Sequence, residues 1–103
     1  MVYKVIASVQ ADADLDRLID YLLQTLQNPV AAKNLLSGVE ACYDHLSQMP
    51  YMYEQCRSPR LMARGYRKAV IHDYIMIYRV DDEENTVYVL RFFHGRQDYE
   101  KRL

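Results

Sequence analysis

The chain has 103 residues, of which 50% are hydrophobic and 26% charged, and this composition is typical of a globular protein. We predict one domain, spanning residues 1–103, with a modest core. No apolar run approaches the roughly 18 residues that cross a bilayer, and the N-terminus predicts a strand rather than a signal peptide. Cys42 and Cys56 lack metal-ligand or disulfide spacing. We therefore expect a cytoplasmic protein with reduced thiols, no metal, no cofactor and no membrane partner.

The formal net charge of −1 hides an uneven distribution. Residues 1–53 carry three cations against six acids, whereas residues 54–103 carry ten cations against eight acids. The stretch 55–72 has no acid, and its five cations are Arg57, Arg60, Arg64, Arg67 and Lys68. This polarity predicts a basic face that would bind an anionic partner, and the alternative is a solvated loop.

The first half of the chain predicts a strand followed by a helical hairpin. Residues 3–9 are β-prone, and Asp12 or Asp14 would cap the first helix. The buried stripe of this helix would be Leu15, Leu18, Ile19, Leu22 and Leu26. Asn28 would cap a second helix over residues 29–48, antiparallel to the first. The second helix would bury Leu35, Leu36, Val39, Tyr43 and either Leu46 or Cys42.

The second half predicts a loop over residues 50–64 and then three strands separated by turns at 72–73 and 82–85. Alternation along the last strand predicts two faces, Val87, Val89 and Arg91 against Tyr88, Leu90 and Phe92. One face of the sheet would pack on the helices, while the other would stay partly open and carry Arg79 and Arg91. The predicted fold is therefore α+β, with an N-terminal strand, a helical hairpin and a three-strand antiparallel meander.

Four segments carry a resemblance that covers essentially the whole chain. They are residues 46–50, Gly65-Tyr66-Arg67, residues 73–80, and residues 89–98 with the ending His94-Gly95-Arg96-Gln97-Asp98. In this order they resemble the RelE/ParE superfamily of bacterial toxins from type II toxin–antitoxin modules, which includes plasmid stabilisation proteins. The resemblance implies one sheet packed on the helices and a protein that inhibits growth.

Members of this superfamily share a fold but not a target. RelE-like toxins cut messenger RNA on the ribosome, and ParE-like toxins poison DNA gyrase. RNA cleavage requires a base, cations for the phosphate and an acid for the leaving oxygen. If the chain is a metal-independent endoribonuclease, the resemblance implies a catalytic set of Arg67, Arg91, His94, Arg96 and Tyr99. Each also has a structural interpretation, such as a capping histidine or an arginine stem packed on apolar neighbours.

Three positions depart from the RNA-cleaving pattern. RelE-like toxins keep a lysine pair where this chain aligns Arg67 and Ala69, and an arginine where it has Ile75. The His94-Gly95 ending is closer to the ParE-like branch, for which no nuclease chemistry is expected. The resemblance therefore favours a gyrase-binding toxin. The alternatives are a ribosome-dependent messenger RNA endoribonuclease and an inactive toxin-derived binding protein.

The resemblance also implies a partner, because antitoxins of this superfamily wrap their toxins with an acidic, initially disordered tail. We expect such a tail to form a toxin–antitoxin hetero-oligomer with this chain. The residues that would contact it are Leu23, Arg57, Arg60, Arg64 and Lys68.

Overall fold

One mixed sheet with helices on both of its faces forms the protein. The computed structural model describes residues 2–103, in which the elements are β1 (Lys4–Ala7), α1 (Val9–Asp20), α2 (Pro29–Gln48), α3 (Pro59–Ala63), β2 (Arg67–Ile71), β3 (Tyr74–Asp81), β4 (Thr86–His94) and α4 (Tyr99–Arg102). The strand order is β1-β4-β3-β2, and β1 runs parallel to β4 while the other pairs are antiparallel. The predicted α+β fold is confirmed. Every helix in residues 2–103 is too short or too polar to cross a bilayer.

The helical hairpin begins earlier than predicted. Ser8 caps α1, since its side-chain oxygen accepts a hydrogen bond from the Ala11 amide at 3.0 Å. The prediction that Asp12 or Asp14 caps this helix is therefore wrong, because the helix starts directly after β1. Asn28 does cap α2, accepting from the Ala31 amide at 3.1 Å, and the predicted bounds of α2 are confirmed.

Two leucines assigned to the buried stripes lie at the surface. Leu26 is 53% exposed because a π-helical segment, Tyr21–Thr25, continues α1 and shifts the following residues from α-helical spacing. Leu36 is 42% exposed because it lies beside the seam through which α2 packs on the sheet. That seam has regular helical spacing and consists of Ala32, Leu35, Val39, Cys42 and Leu46.

Both faces of the sheet are covered, so the prediction of a partly open face is wrong over much of its area. The helical hairpin covers one face and forms the main core with β2–β4. A second cluster on the opposite face contains Cys56, Leu61, Ile75, Ile77 and Phe93, with Tyr99 and Leu103 packed against it. The predicted loop over residues 50–64 instead contains α3, and Leu61 of this helix lies in the second cluster.

A β-bulge in β4 breaks the predicted alternation. Ile77 pairs with Arg91, but the next residue, Tyr78, pairs with Val89, so β4 holds one extra residue. Beyond the bulge each side chain changes face. Phe92 therefore lies in the main core with Val89, while Arg91 faces the other side. The predicted grouping of Val89 with Arg91 is wrong for this reason.

Candidate functional site

The exposed edge of β4 is completed by α1 rather than by another strand. Strand β1 ends at Ala7, so β4 loses its parallel partner after Val89. Ser8 then donates its amide to the Val89 carbonyl and its hydroxyl to the Leu90 carbonyl, both at 2.9 Å. Six residues after Ser8, the Asp14 carboxylate on α1 accepts from the Phe92 amide at 3.0 Å. The β4 backbone groups left without a strand partner by the end of β1 are thus satisfied by Ser8, which caps α1, and by the Asp14 side chain.

Arg91 forms a bidentate ion pair with the same carboxylate. Its Nε lies 2.7 Å from Asp14 Oδ2, and a terminal nitrogen lies 3.2 Å from Oδ1. Asp14 is only 4% exposed, and Arg17 also donates to its Oδ1. The hydrogen bond to Asp14 raises the pKa of Arg91 above its ordinary value. Arg91 therefore fixes α1 to β4, and its charge is compensated.

Arg67 lies on the opposite face of the sheet from Arg91. It pairs in register with Tyr78 and donates to the Tyr53 carbonyl at 2.7 Å, and its guanidinium lies 4.8 Å from the Tyr51 ring centroid. The structure therefore does not bring Arg67 to the other candidate residues.

The same alternation along β2 places Ala69 on the face of the sheet that carries Arg67. Ala69 is fully buried in the main core and faces the helices, as Arg67 does. Lys68 is the strand residue that faces the second cluster. A charge on that face of β2 is thus present, one position before the alanine.

His94 and Arg96 lie at the end of β4 beside an open cleft of about 550 Å³. The His94 Nδ1 accepts a hydrogen bond from the Arg96 amide at 3.2 Å, which leaves the ring proton on Nε2. The imidazole packs edge-on against Tyr74, with ring centroids 5.5 Å apart. His72 and Asp73 also line the cleft. It therefore combines hydrogen-bond donors, one carboxylate and an aromatic face.

Gly95 holds this cleft together through a close backbone contact. Its amide donates to the Asp73 carbonyl at 2.7 Å, which joins the end of β4 to the β2–β3 turn. A Cβ at position 95 would lie 2.8 Å from the same oxygen, so a larger residue would separate the two segments. Gln97 adds a second restraint, because its Oε1 accepts from the His94 amide at 2.8 Å.

Tyr99 lies on the second cluster rather than in the cleft beside His94. Its ring centroid is 6.3 Å from that of Phe93 and 5.9 Å from the Lys68 ammonium. Burial is the main cause that raises the pKa of Tyr99. Of the residues in the predicted catalytic set, only His94 and Arg96 line the same cavity, whereas Arg91 lines a different one.

The predicted partner-binding residues divide into occupied and free side chains. Arg60 donates to the Leu103 carbonyl at 2.7 Å and to the Glu100 carbonyl, so it holds α4 against α3. Leu23 is 39% exposed on the π-helical segment. Arg57 and Arg64 are exposed. No carboxylate within residues 2–103 forms an ion pair with either of them.

The role of Asp14 as a buried ion-pair partner was not predicted, although the sequence contains a signal for it. Asp14 follows Ala11 by three residues and precedes Leu18 by four, so it falls within the apolar stripe of α1. A carboxylate on a buried helix face requires a charged or hydrogen-bonding partner. That pattern predicts a partner for Asp14 but cannot identify Arg91, which is 77 residues away.

Comparisons with known proteins agree with this architecture. Among solved structures, the chain is similar to the RelBE2 toxin–antitoxin complex from Mycobacterium tuberculosis, with 27% identity and a TM-score of 0.66 over 91% of this chain and 92% of that chain. It is also similar in fold to the chromosomal ParDE system from P. aeruginosa, with 18% identity and a TM-score of 0.69 over 90% and 96% of the two chains. A comparison with curated proteins found no match.

A family match covers nearly the whole chain. Residues 5–99 match the family described as the ParE toxin of the type II toxin–antitoxin system parDE. The matched range includes Asp14, the bulge in β4 and the cleft beside His94. The superfamily indicated by the sequence is confirmed. The chain therefore belongs to the ParE toxin family of type II toxin–antitoxin systems.

Proposed function

We propose that this toxin inhibits growth by binding an essential nucleic-acid machine, with DNA gyrase as the expected target, and that it does not cut RNA. The ion pair between Arg91 and buried Asp14 carries this proposal. If the chain were a nuclease with the catalytic set that the resemblance implies, Arg91 would be one of the cations that stabilise the phosphate. The guanidinium is instead already bound to a carboxylate.

The energetics support the same conclusion. Releasing Arg91 toward a phosphate would leave Asp14 buried with its main charged partner removed, and breaking such a pair costs about 3–5 kcal/mol. Arg67 faces the other side of the sheet and would not reach the same phosphate. The distribution of these cations suits binding of a surface better than stabilisation of one reacting group.

Inducing the gene without an antitoxin tests the target. We expect a DNA-damage response with anucleate filaments, and we expect the purified toxin to inhibit supercoiling by gyrase. Immediate arrest of translation with cut messages would contradict the proposal. Normal growth would instead favour the inactive binding protein.

The His94→Ala variant provides the matched control. His94 would act as a proton shuttle only in an RNA-cleaving enzyme, so its loss should spare toxicity if the target is merely bound. Retained toxicity together with retained supercoiling inhibition supports gyrase binding. Loss of toxicity from a folded variant would contradict it.

A ribosome-dependent endoribonuclease is the second candidate, and the cleft beside His94 favours it. The Nε2–H of His94 and the guanidinium of Arg96 make no hydrogen bond to any other group in residues 2–103. Both would be available to a phosphate. Cleavage of messages that is abolished by His94→Ala and Arg96→Ala, but not by Tyr51→Phe, would establish this activity.

We also propose a cognate antitoxin with an acidic, partly disordered tail as a partner in the cytoplasm. Both structural neighbours are toxin–antitoxin systems. The exposed Arg57, Arg64 and Leu23 support a surface for such a tail, and Arg60 and Lys68 would join it by exchanging their present contacts. Reversing the charge at Arg57 and Arg64 should weaken antitoxin binding. The control is Lys33→Glu, at an exposed position of α2, which should leave antitoxin binding unchanged.

A further inference from the structure

A second, smaller cleft lies between α1 and α4, on the other side of the turn that follows β4. Its volume is about 140 Å³, and its polar lining residues are Asp14, Arg17, Arg91, Gln97 and Arg102. This volume is close to that of four or five water molecules at ~30 Å³ each. It is well below the roughly 300–1,000 Å³ of pockets that enclose whole small molecules. A single tetrahedral oxyanion fits this space, whereas a nucleoside does not.

The charges around this cleft are unbalanced. Three arginines and a single acidic residue, Asp14, line it. Asp14 Oδ1 already accepts hydrogen bonds from Arg17 and Arg91, and Oδ2 accepts from Arg91 and from the Phe92 amide. No carboxylate in the described chain, residues 2–103, forms an ion pair with Arg102. The cleft therefore carries an excess of positive charge that Asp14 does not cancel.

The unused hydrogen-bonding groups in the cleft are donors. Arg17 is 69% exposed and uses one terminal nitrogen for Asp14, which leaves most of its five N–H groups free. Gln97 uses Oε1 to accept from the His94 amide, so its side-chain NH₂ group remains available. Arg102, the last residue of α4, also lines the cleft and carries a further guanidinium. Arginine forks match the oxygens of phosphate in charge and in geometry.

We propose that Arg17, Arg102 and the Gln97 side-chain amide form a binding site for a phosphate group. Arg91 supports the site electrostatically but remains bound to Asp14. Because only the phosphate fits inside, a sugar and base would stay outside, and recognition would be independent of base sequence. The phosphate could come from a nucleic-acid backbone or from the free anion. The site does not depend on gyrase being the target.

An NMR titration of the full chain with inorganic phosphate at constant ionic strength tests the site. We expect saturable shifts of the amide signals of residues 14–18 and 97–102. Arg102→Gln and Arg17→Gln should each weaken binding about tenfold, the loss expected for one charge-assisted hydrogen bond. Both side chains are exposed, so these variants should keep the wild-type circular dichroism spectrum. Absence of a saturable shift in the wild type would overturn the proposal.

Lys101→Gln is the matched control. Lys101 is next to Arg102 in the chain, is 85% exposed and does not line the cleft. Its replacement by glutamine removes one positive charge, as Arg102→Gln does. Its phosphate affinity should stay within about twofold of the wild type, since exposed charges act weakly at a distance. An equal loss in Lys101→Gln and Arg102→Gln would indicate a diffuse surface charge and would overturn the site.

A short single-stranded oligonucleotide without terminal phosphates separates the two sources. If it displaces phosphate, and Arg102→Gln lowers the salt dependence of its binding by about one unit of log–log slope, the site holds a nucleic-acid backbone. If phosphate binds and the oligonucleotide does not compete, the site holds the free anion. Either result supports the site. Gyrase inhibition is measured separately, so failure of one proposal leaves the other standing.

Discussion

The two faces of the sheet differ in how they are covered, and the difference separates stability from candidate function. The main core under the helical hairpin contains fourteen buried residues, and the second cluster contains five. The first is covered by α1 and α2, with twelve and twenty residues, and the second by α3 and α4, with five and four. Helices of four or five residues are not stable by themselves and depend on tertiary contacts. Most candidate functional cations lie on or beside this thinner layer.

A matched pair of leucines should give the largest contrast between the two faces. Leu46 in the main core and Leu61 in the second cluster are both fully buried. We expect Leu46→Ala to lower the free energy of unfolding by about 4 kcal/mol, near the upper part of the range for Leu→Ala. Leu61→Ala should cost only about 2 kcal/mol, because α3 can collapse onto the vacated space. Urea unfolding measures both, and equal losses would contradict this comparison.

Breaking the contact between α1 and the edge of β4 should have the next largest effect on stability. Asp14→Ala would leave Arg91 without its carboxylate and the Phe92 amide without an acceptor. We expect a loss of about 3 kcal/mol in the free energy of unfolding. Asp16→Ala, an exposed position on the same helix, is the control and should change it by about 0.5 kcal/mol or less. Similar losses in both variants would show that the ion pair contributes little.

Loss of Arg60 should destabilise only the segments that cover the second face of the sheet. Arg60→Gln removes the charged donors to the Glu100 and Leu103 carbonyls, and we expect a cost of about 1 kcal/mol. Hydrogen exchange should accelerate at residues 99–103 while the main core stays protected. Arg64→Gln, at the residue that directly follows the same short helix, should leave hydrogen exchange unchanged. Uniform acceleration across the chain would show that the layers are not separable.

The smallest effect should come from Asp82, at the end of the sheet far from both clefts. Tyr51 and Tyr3 donate to its carboxylate and lower the pKa of Asp82 below its ordinary value of 3.8. Since the unfolded state then binds the proton first, this contribution is present above pH 3.8 and is lost as the pH falls through the lower folded pKa. Asp82→Asn should therefore flatten the acid limb of a stability–pH curve. An unchanged acid limb would contradict this prediction.

Tyr51, which donates to Asp82, should contribute to stability with the opposite pH dependence, at alkaline pH. The hydrogen bond to Asp82 raises the pKa of Tyr51 from 10.0 to about 12. Its contribution is complete below pH 10 and is lost as the pH rises toward 12, because the unfolded state loses the proton first. Tyr51→Phe should remove this alkaline loss. An unchanged curve would show that the hydrogen bond is not maintained in solution.

Local chemistry explains which parts of the fold were predictable. The start of α2 follows from Asn28 and Pro29, whose cap and fixed backbone act within one turn. The two turns between the last strands likewise follow from short polar segments. Ser8 was missed as the cap of α1 because two aspartates nearby fit the same local rule.

The candidate site was less predictable because its contacts join residues distant in sequence. Arg91, His94 and Arg96 were identified as candidates from the ending of the chain, but their partners were not. One extra residue in β4 reverses the face of Arg91, and no local pattern announces that bulge. Arg60 was interpreted as a free cation, although it donates to backbone carbonyls forty residues away or more.

By itself, the sequence determined the order of the strands and of the two long helices, the apolar seam of α2 and the basic character of the second half. These properties depend on neighbouring residues and on hydrophobic spacing. Only the tertiary structure decided that Asp14 binds Arg91, that Arg67 faces away from it, and that α3 and α4 cover the second face. Such pairings depend on strand register and on contacts between distant segments, which a local pattern does not specify. The cations that the sequence grouped together are therefore divided among several surfaces.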